Sequence, residues 1–278
     1  MFHGRKLIIA TKHQKEKVIA PALEKALGVK CITIADLDTD KLGTFSGEVE
    51  RKFDPITTAK NKCAMAMEIN QCDLAIASEG SFGPHPTIYF IPADEEFLVL
   101  VDKKNMFEII VRVLSTETNY NAAVIKTALE LKNFAKAAGF PSHGLILRKA
   151  KNDYSIIEKG VIDKTHLANT FNSLISNHGS VYVETDMSAM YNPKRMKVIE
   201  QATQKLIAKI NSKCPQCKTP GFDITKTKPG LPCSLCSNST RVTLSNVYSC
   251  IKCNFSKEEK YPEGKLSADP MYCDYCNP

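Results

Sequence analysis

Short apolar runs alternate with amphipathic segments at the start of the chain. Lys6–Ala10 and Lys30–Ile34 are apolar runs of strand length. Between them, apolar side chains recur at helical spacing up to a stop at Gly28. Thr57–Asn70 shows the same helical spacing and leads into the apolar run Leu74–Ala77. The first eighty residues therefore predict the order β-α-β-loop-α-β.

The middle of the chain adds a hairpin. Phe97–Val101 and Phe107–Leu114 are apolar runs separated by a polar turn, which predicts two antiparallel strands. The remaining predicted elements are a helix over 121–138, a strand over 144–148, a helix over 165–177, a strand over 181–184 and a helix over 193–211. Strands that alternate with helices predict an α/β domain, with one mixed twisted sheet and helices on both faces.

One acidic residue follows the Leu74–Ala77 strand. Glu79 stands in a stretch rich in glycine and proline, which predicts a loop at the rim of the sheet. Glycine lets the backbone approach a ligand closely. A tight turn with a solvated glutamate fits the same residues. The candidate nucleotide-binding residues of this loop are Ser78, Gly80, Ser81 and His85.

A basic turn follows the first predicted strand. A helix N-terminus offers unpaired N–H groups and a positive dipole, which suits a polyphosphate. A solvated basic first turn is the alternative. Neither a P-loop nor a dinucleotide-binding glycine motif occurs in the sequence. The candidate phosphate-binding residues are Thr11, Lys12, His13, Lys15 and Lys17.

Carboxylates follow several of the predicted strands. Hard oxygen ligands at strand ends are what Mg²⁺ requires, and they could activate a water for attack on phosphorus. For Asp36, Asp38 and Asp40, a solvated loop is the alternative. The carboxylates are Asp36, Asp38, Asp40, Asp54 and Glu79.

A polar loop precedes the last helix of this region. Asp186, Asn192 and Arg195 offer an acceptor, an amide and a bidentate donor, which suits a purine edge or a phosphate. Helix capping by Asn192, with Pro193 as the first helical residue, explains those two residues equally well.

Eight of the eleven cysteines lie after residue 213 in four Cys-x-x-Cys pairs. Two such pairs supply four thiolates, which complete a closed tetrahedral zinc site, so two structural Zn²⁺ ions are expected. Disulfides or a redox pair are the alternatives. The scattered Cys31, Cys63 and Cys72 are expected in the core. The predicted ligands are Cys214, Cys217, Cys233, Cys236, Cys250, Cys253, Cys273 and Cys276.

The change in composition predicts two domains, 1–211 and 212–278. Between the two inner cysteine pairs, Thr240–Leu244 and Asn246–Ser249 are predicted to form a hairpin. The inner pairs would then share one zinc in a ribbon and the outer pairs the other. Pairing in sequential order is the alternative.

Charge and hydropathy narrow the functional classes. The formal charge is +7, and eight thiolates with two Zn²⁺ ions would lower it to about +3. This balance gives only weak support to nucleic-acid binding. No apolar run has the ~18 residues of a transmembrane helix, and the start lacks the apolar core of a signal peptide. We therefore expect a cytoplasmic protein without membrane association.

The N-terminal domain resembles the inosine/xanthosine triphosphate pyrophosphatase (ITPase) superfamily. Thr11–Lys17 resembles its Ser/Thr-x-Asn-x-x-Lys phosphate turn, and Asp54–Lys62 its acidic residue followed by a basic helix. Asp73–Ser81 resembles its strand ending in Glu-Gly-Gly. The resemblance implies an ITPase-like fold, in which Glu79 and Asp54 handle Mg²⁺ and the attacking water.

The resemblance implies a Mg²⁺-dependent nucleoside triphosphate pyrophosphohydrolase that acts on a non-canonical or modified purine nucleotide. His13 and Glu16 replace the superfamily's Asn and Lys, and Ser81 its second glycine, which puts turnover in doubt more than nucleotide binding. One alternative is a catalytically weak nucleotide sensor or adaptor whose zinc module contacts a protein partner. The second is a zinc-ribbon protein that binds nucleic acid. A homodimer also remains open.

The whole chain resembles an uncharacterised bacterial family that joins such a domain to cysteine knuckles. The shared sequence motifs include Ala77–Pro86, Asn192–Met196 and the terminal Tyr272–Pro278. That family has no activity to carry over.

Overall fold

The structure is a computed structural model that describes residues 1–34, 48–49 and 51–278. The chain forms two compact units, Met1–Leu206 and Ile207–Pro278. In chain order the described strands and helices are β1 (Lys6–Ala10), α1 (Glu16–Leu27), β2 (Lys30–Thr33), α2 (Pro55–Ile69), β3 (Leu74–Pro84), β4 (Pro92–Asp102), β5 (Phe107–Ser115), β6 (Ala122–Ile125), α3 (Ala128–Ala138), β7 (Leu145–Ala150), β8 (Asp153–Val161), α4 (Lys164–His178), β9 (Val181–Thr185), α5 (Pro193–Asn211), β10 (Asp223–Pro229), β11 (Thr243–Ser249) and β12 (Ser256–Lys260).

The first unit contains a mixed five-stranded sheet in the order β2-β1-β3-β4-β5. Strands β2, β1 and β3 are parallel, whereas β3, β4 and β5 are antiparallel. The predicted order of these strands with helices α1 and α2, and the predicted hairpin, are therefore confirmed, whereas most of the predicted loop before α2 lies outside the described residues. Helix α2 packs its small apolar side chains on one face of the sheet, against β1, β3 and β4. Alternate residues such as Leu7 and Ile76 are buried on the opposite face.

Local signals explain where the first two helices begin and end. Gly28 adopts the left-handed conformation with φ 66° and ends α1. Asp54 accepts from the backbone N–H groups of Ile56 and Thr57, and Pro55 stands at the first helical position of α2. Both signals are short-range, which is why the sequence pattern predicts these helices well.

A second sheet of four antiparallel strands, in the order β6-β9-β7-β8, follows in the same unit. The sequence predicts one mixed sheet, and this expectation is wrong. The strands after β5 pair among themselves because β6 and β7 both take β9 as their partner. Helices α3 and α4 pack on this second sheet and form its separate apolar core.

The predicted helix over 121–138 is a strand followed by a helix. Ala122–Ile125 pairs with β9 and forms the edge strand β6. The helix begins only after Thr127, whose side chain accepts from the Glu130 N–H while Glu130 bonds back to the cap. This capping box is a sequence signal for a helix start that the apolar spacing alone obscures.

The predicted loop around Glu79 is also wrong, because β3 continues to Pro84. Its eleven residues pair without interruption with β4, from Leu74 opposite Asp102 to Pro84 opposite Pro92. The glycines therefore lie within a ladder and the turn comes later. A partner strand of equal length stabilises this extended backbone despite its composition.

The second unit contains a three-stranded antiparallel sheet in the order β10-β11-β12. The hairpin predicted over 240–249 is wrong, since Thr243–Ser249 is one strand with partners on both sides. Phe222 stacks on Tyr248 and packs against Phe255, and this small aromatic core also includes Cys214 and Cys250.

Candidate functional site

Glu79 projects from β3 on the face of the sheet that α2 covers. Its carboxylate forms ion pairs with the Lys62 ammonium and, at 3.8 Å, with the Arg51 guanidinium. Arg51 also donates to the Gly80 carbonyl oxygen at 2.8 Å and contacts Ser81 Oγ at 3.3 Å. Glu79 is only 4% exposed. The predicted acid is thus a buried strand residue that contacts two cations.

Lys15 precedes α1 and points into the protein. Its Nζ donates to the Ser78 carbonyl oxygen at 3.2 Å and to Ser78 Oγ at 2.8 Å. Desolvation by burial lowers the pKa of Lys15 to about 7, and the positive charge of Arg195 acts in the same direction. Near neutral pH this amine can therefore both accept and donate a proton.

Arg195 is a buried cation on the face opposite Glu79. Its Nε donates to Glu96 Oε1 at 2.5 Å, and its Nη1 donates to the Met187 carbonyl oxygen. The guanidinium lies 5.0 Å from the centre of the Phe82 ring. A Cβ on Gly80 would come within 2.5 Å of Glu96 Oε1. The ion pair therefore occupies the space that a side chain at Gly80 would need.

Asp94 and Glu96 lie two residues apart on β4, so their side chains share one face of the sheet. They are 1% and 0% exposed. In the part of the chain that the structure describes, Asp94 Oδ1 and Glu96 Oε2 have no hydrogen-bond partner. Burial, and next the charge of Glu96, raise the pKa of Asp94 to about 8.

Asp54, the other predicted catalytic acid, caps α2. Oδ1 accepts from the Ile56 and Thr57 N–H groups, and Oδ2 accepts from the Thr57 hydroxyl at 2.5 Å. The hydroxyl bond lowers the pKa of Asp54. Its proposed part in metal and water handling stays a prediction. The carboxylates Asp36, Asp38 and Asp40 lie outside the described residues.

The other residues of the basic turn lie nearer the surface. Lys12 and Lys17 are exposed, and Lys17 Nζ donates to Gln14 Oε1 at 2.6 Å. Thr11 Oγ1 accepts weakly from the His13 N–H at 3.4 Å. Of this turn, Lys15 alone among the described residues is buried against β3.

Asp186 and Asn192 support the loop before α5. The Asp186 carboxylate accepts from the N–H groups of Gly160 at 2.9 Å and Ser188 at 2.8 Å. Asn192 Oδ1 accepts from the Arg195 N–H at 3.1 Å, which is the predicted helix cap. Their contacts fix the loop from which Arg195 reaches β4.

His85 lies in the turn that joins β3 to β4. Its Nδ1 accepts from the Ile88 N–H at 3.1 Å and from the Thr87 N–H at 3.3 Å. These hydrogen bonds explain His85 as a residue that stabilises the turn.

Around β3, the structure places Lys15, Ser78, Gly80 and Arg195 on one face and Glu79 on the other. Ser81 contacts Arg51, whereas Asp186 and Asn192 are buried in the loop before α5. Sequence reasoning missed four charged neighbours. No alternation marks two of them, because Asp94–Glu96 is a run of three consecutive acidic residues and the sequence does not show which of them face the core. The missed residues are Arg51, Lys62, Asp94 and Glu96.

A cavity of about 250 Å³ continues the Glu79 face toward the end of the hairpin. Its residues from β3, β4 and β5 stand opposite one another in the ladder. Arg112 and Glu95 form an ion pair in its wall. The other lining residues include Ser81, Gly83, Ala93 and Leu114.

Two four-cysteine clusters lie in the second unit. Zn–S bonds of about 2.3 Å in a tetrahedron place neighbouring sulfurs about 3.8 Å apart. The Sγ–Sγ distances are 3.7 and 3.5 Å in one cluster, and 3.9 and 3.6 Å in the other. Disulfide sulfurs would be about 2.05 Å apart. Each cluster therefore has the donors and spacing to hold a zinc ion. The clusters are Cys214, Cys217, Cys250 and Cys253, and Cys233, Cys236, Cys273 and Cys276.

The pairing is interleaved, so the expected ribbon of the two inner pairs is wrong, as is the sequential alternative. Strand β10 follows the first pair and lies antiparallel to β11, which ends just before the third pair. This hairpin brings Cys217 beside Cys250. Cys233 instead bridges to Ala268, near the fourth pair.

Three of the four pairs share a turn conformation. The residue after the second cysteine is left-handed in each, with φ 61° at Lys218, 61° at Ser237 and 58° at Asn254. The N–H of this residue donates to the carbonyl oxygen of the first cysteine. Such a turn aims both sulfurs of a pair to one side.

The protein is thus a mixed α/β protein with two C-terminal four-cysteine clusters. The family model described as "Domain of unknown function (DUF6671)" matches residues 62–278. The chain belongs to this family. The match begins within α2, and no curated protein matches the chain. None of the helices in the described ranges is long and apolar enough to cross a membrane.

Proposed function

We propose that the α/β unit is a Mg²⁺-dependent nucleoside triphosphate pyrophosphohydrolase that acts on a modified purine nucleotide. The observation that carries this proposal is the buried Glu79 carboxylate, which forms ion pairs with Lys62 and Arg51. Acid and cations so arranged are the groups that phosphoryl chemistry needs.

The cations on this face carry more charge than the acid that they contact. Lys62 and Arg51 carry two positive charges against the single charge of Glu79. An incoming triphosphate would draw both cations toward its oxygens, since such charge-assisted bonds are strong. Glu79 would then be released to a phosphate-bound Mg²⁺ and to a water. The cavity beside Ser81 would accommodate the base.

In the proposed reaction, a water oxygen attacks the α-phosphorus and forms a new P–O bond. The bond from this phosphorus to the α–β bridging oxygen breaks, and pyrophosphate leaves. Glu79 accepts the proton of the attacking water. Asp54 would act through its cap on α2, the helix that carries Lys62.

The test is pyrophosphate release from ITP, XTP, dITP and the standard nucleotides with Mg²⁺ or Mn²⁺. We expect turnover of one modified purine nucleotide, abolished in Glu79→Gln with retained binding. Glu108→Gln is the matched control, because Glu108 is an exposed acid that pairs with Lys60 and does not line the cavity. Absence of turnover with every nucleotide and metal would sink the proposal.

A nucleotide sensor without turnover is the second candidate. The ion pairs of Glu79 favour it, because two cations already engage the carboxylate that would have to act on the water. Calorimetric binding of a nucleotide without product would support this candidate. Absence of any binding would count against both functions.

We propose that the cysteine clusters bind two structural Zn²⁺ ions, because four thiolates leave no open coordination position. Their module would contact a partner protein. Nucleic-acid binding is less favoured, since Lys228 pairs with Glu258 and Arg241 pairs with Asp274. An affinity for DNA or RNA that falls steeply with salt would reverse this preference.

A further inference from the structure

The turn that joins β3 to β4 exposes three consecutive apolar side chains. Ile88 is 39% exposed, Tyr89 is 76% exposed and Phe90 is 88% exposed. An aromatic side chain buries about 150–250 Å² when it is covered, so two of them in water forgo much stabilisation. Exposed apolar clusters of this kind are typical of surfaces that another molecule covers. We refer to Ile88–Phe90 as the hairpin tip.

Local hydrogen bonds hold the hairpin tip in one conformation. The His85 N–H donates to the Ile91 carbonyl oxygen at 2.8 Å, and the Ile91 N–H donates to the Ile88 carbonyl oxygen at 3.0 Å. Pro84 and Pro92 stand opposite each other where the two strands end. A side chain that is presented on a fixed backbone loses little conformational entropy when it binds. The tip is therefore preorganised to insert into a pocket.

A cavity that suits an aromatic ring lies on the same hairpin. Its volume is about 250 Å³, and its apolar walls include Pro84, Pro86, Ala93 and Leu114. Cavities of about 150 Å³ accept benzene, so this one has room for the ring of a phenylalanine. Phe90 is exposed and therefore does not fill the cavity of its own chain. Because Pro86 and Phe90 are four residues apart, the tip lies within about 14 Å of that cavity along the backbone.

The area that a contact would bury favours a second copy of this chain as the occupant. The two aromatic rings of one tip would bury about 300–400 Å², and the walls that they cover would bury a similar area. This total of about 600–800 Å² falls short of the roughly 1,200 Å² that a stable interface needs. Two tips exchanged between two cavities double the total to about 1,200–1,600 Å². Such an exchange also closes on itself, as two-fold contacts do.

We propose that two copies of this chain form a two-fold dimer in which the hairpin tip of each copy inserts Phe90 into the cavity of the other and packs Tyr89 against its rim. The ring enters at Pro84 and Pro86, next to the turn, whereas the base of the proposed function would lie at Ser81. The dimer requires no nucleotide. Its presence can therefore be measured whether or not the proposed function is correct.

The experiment is light scattering after gel filtration of the full-length, zinc-loaded protein. Concentrations from about 1 to 100 µM are suitable, because interfaces of this area have micromolar or tighter affinity. We expect the mass of a dimer. Phe90→Ser should weaken association by at least about tenfold, as the loss of a central aromatic anchor does. Met106→Ser is the matched control and should leave the dimer intact, because Met106 is 82% exposed but lies in the turn between β4 and β5.

Gly83→Leu tests the cavity side of the contact. Gly83 lines the cavity, and a Cβ at this position meets nothing within 4 Å, so the added side chain occupies the cavity without a clash at its Cβ. This variant should weaken the dimer as Phe90→Ser does. A mixture of the two variants should associate more tightly than either variant alone, because the intact tip of one fits the intact cavity of the other.

A dimer that survives Gly83→Leu would overturn the exchange, since its tips would then pack elsewhere. A monomeric wild type would overturn the proposal, and binding of that monomer to phosphatidylcholine vesicles would assign the tip to a lipid surface. A mass that rises beyond the dimer with concentration would indicate an open chain of contacts and would contradict the closed pair. Phe90→Ser changes only an exposed side chain, so this test remains if Gly83→Leu does not fold.

Discussion

Gly80 faces Glu96 across the β3–β4 ladder, and the absence of a side chain at Gly80 makes room for the ion pair of Glu96 with Arg195. A Cβ there would come within 2.5 Å of Glu96 Oε1 and 2.6 Å of Arg195 Nη2. Both ionic side chains are fully buried. One glycine therefore determines whether this pair can form.

Gly80→Ala is expected to destabilise the protein by about 1–3 kcal/mol, the usual cost of overpacking a buried site. Urea unfolding measures this change. Gly83→Ala is the control, because a Cβ at Gly83 meets nothing within 4 Å. It should be neutral or slightly stabilising, since alanine lowers the entropy of the unfolded chain. Equal losses in both variants would contradict the packing argument.

Lys15 should make stability depend on pH. Its pKa is about 7 in the folded protein and about 10.4 in an unfolded chain. Between these values the unfolded state binds more protons, so this lysine adds about 1.4 kcal/mol of stability per pH unit as pH rises. Below pH 7 both states are protonated and the contribution is flat.

Urea unfolding of Lys15→Met from pH 6 to pH 9 tests this sign. The wild type should gain stability relative to the variant above pH 7. Lys17→Met provides the comparison, because Lys17 is exposed, and its profile should remain parallel to the wild type. A parallel profile for Lys15→Met would show that Lys15 is not buried as a neutral amine.

Zinc content should report the interleaved pairing. Cys217→Ser/Cys250→Ser removes two ligands from one cluster, so it should lose one of two Zn²⁺ ions per chain. Cys217→Ser/Cys236→Ser removes one ligand from each cluster and should lose both. Elemental analysis after gel filtration measures the stoichiometry. Pairing of the two inner knuckles would instead require loss of both ions in the first variant.

Under the proposed function, Lys62→Met should weaken nucleotide binding at least tenfold. A charge-assisted hydrogen bond to phosphate contributes about 1.5–3 kcal/mol, which corresponds to roughly 10- to 100-fold in affinity. Lys60→Met is the matched control, since Lys60 is on the same helix but pairs with Glu108. Calorimetry with the preferred nucleotide distinguishes them. Comparable affinities for the two variants would remove Lys62 from the phosphate site.

Local signals in the sequence predicted the elements that depend on local physics. Gly28 and Asp54 mark a helix end and a helix start by their own backbone and capping geometry. The Cys-x-x-Cys spacing likewise predicted the eight cysteines that form the two clusters. These features involve residues only a few positions apart in the chain, so they can be recognised from the sequence alone.

Pairings between distant residues were not accessible in this way. The extension of β3 through Gly80 and Gly83 depends on the equal length of β4. The burial of Glu96 depends on Arg195, 99 positions later. No local sequence signal at Glu96 identifies Arg195 as its partner. Likewise, no local signal shows which of the three possible pairings the four Cys-x-x-Cys pairs adopt.

The two cysteine clusters cannot be separated by cutting the chain. The segment that joins Cys217 to Cys250 contains Cys233 and Cys236, and the segment that joins Cys236 to Cys273 contains Cys250 and Cys253. A single cleavage between residues 237 and 249 would therefore break both loops at once. During synthesis the first cluster has all four cysteines once Cys253 has been made, whereas the second must wait for Cys276. The C-terminal unit is accordingly a pair of interlocked loops that close one after the other.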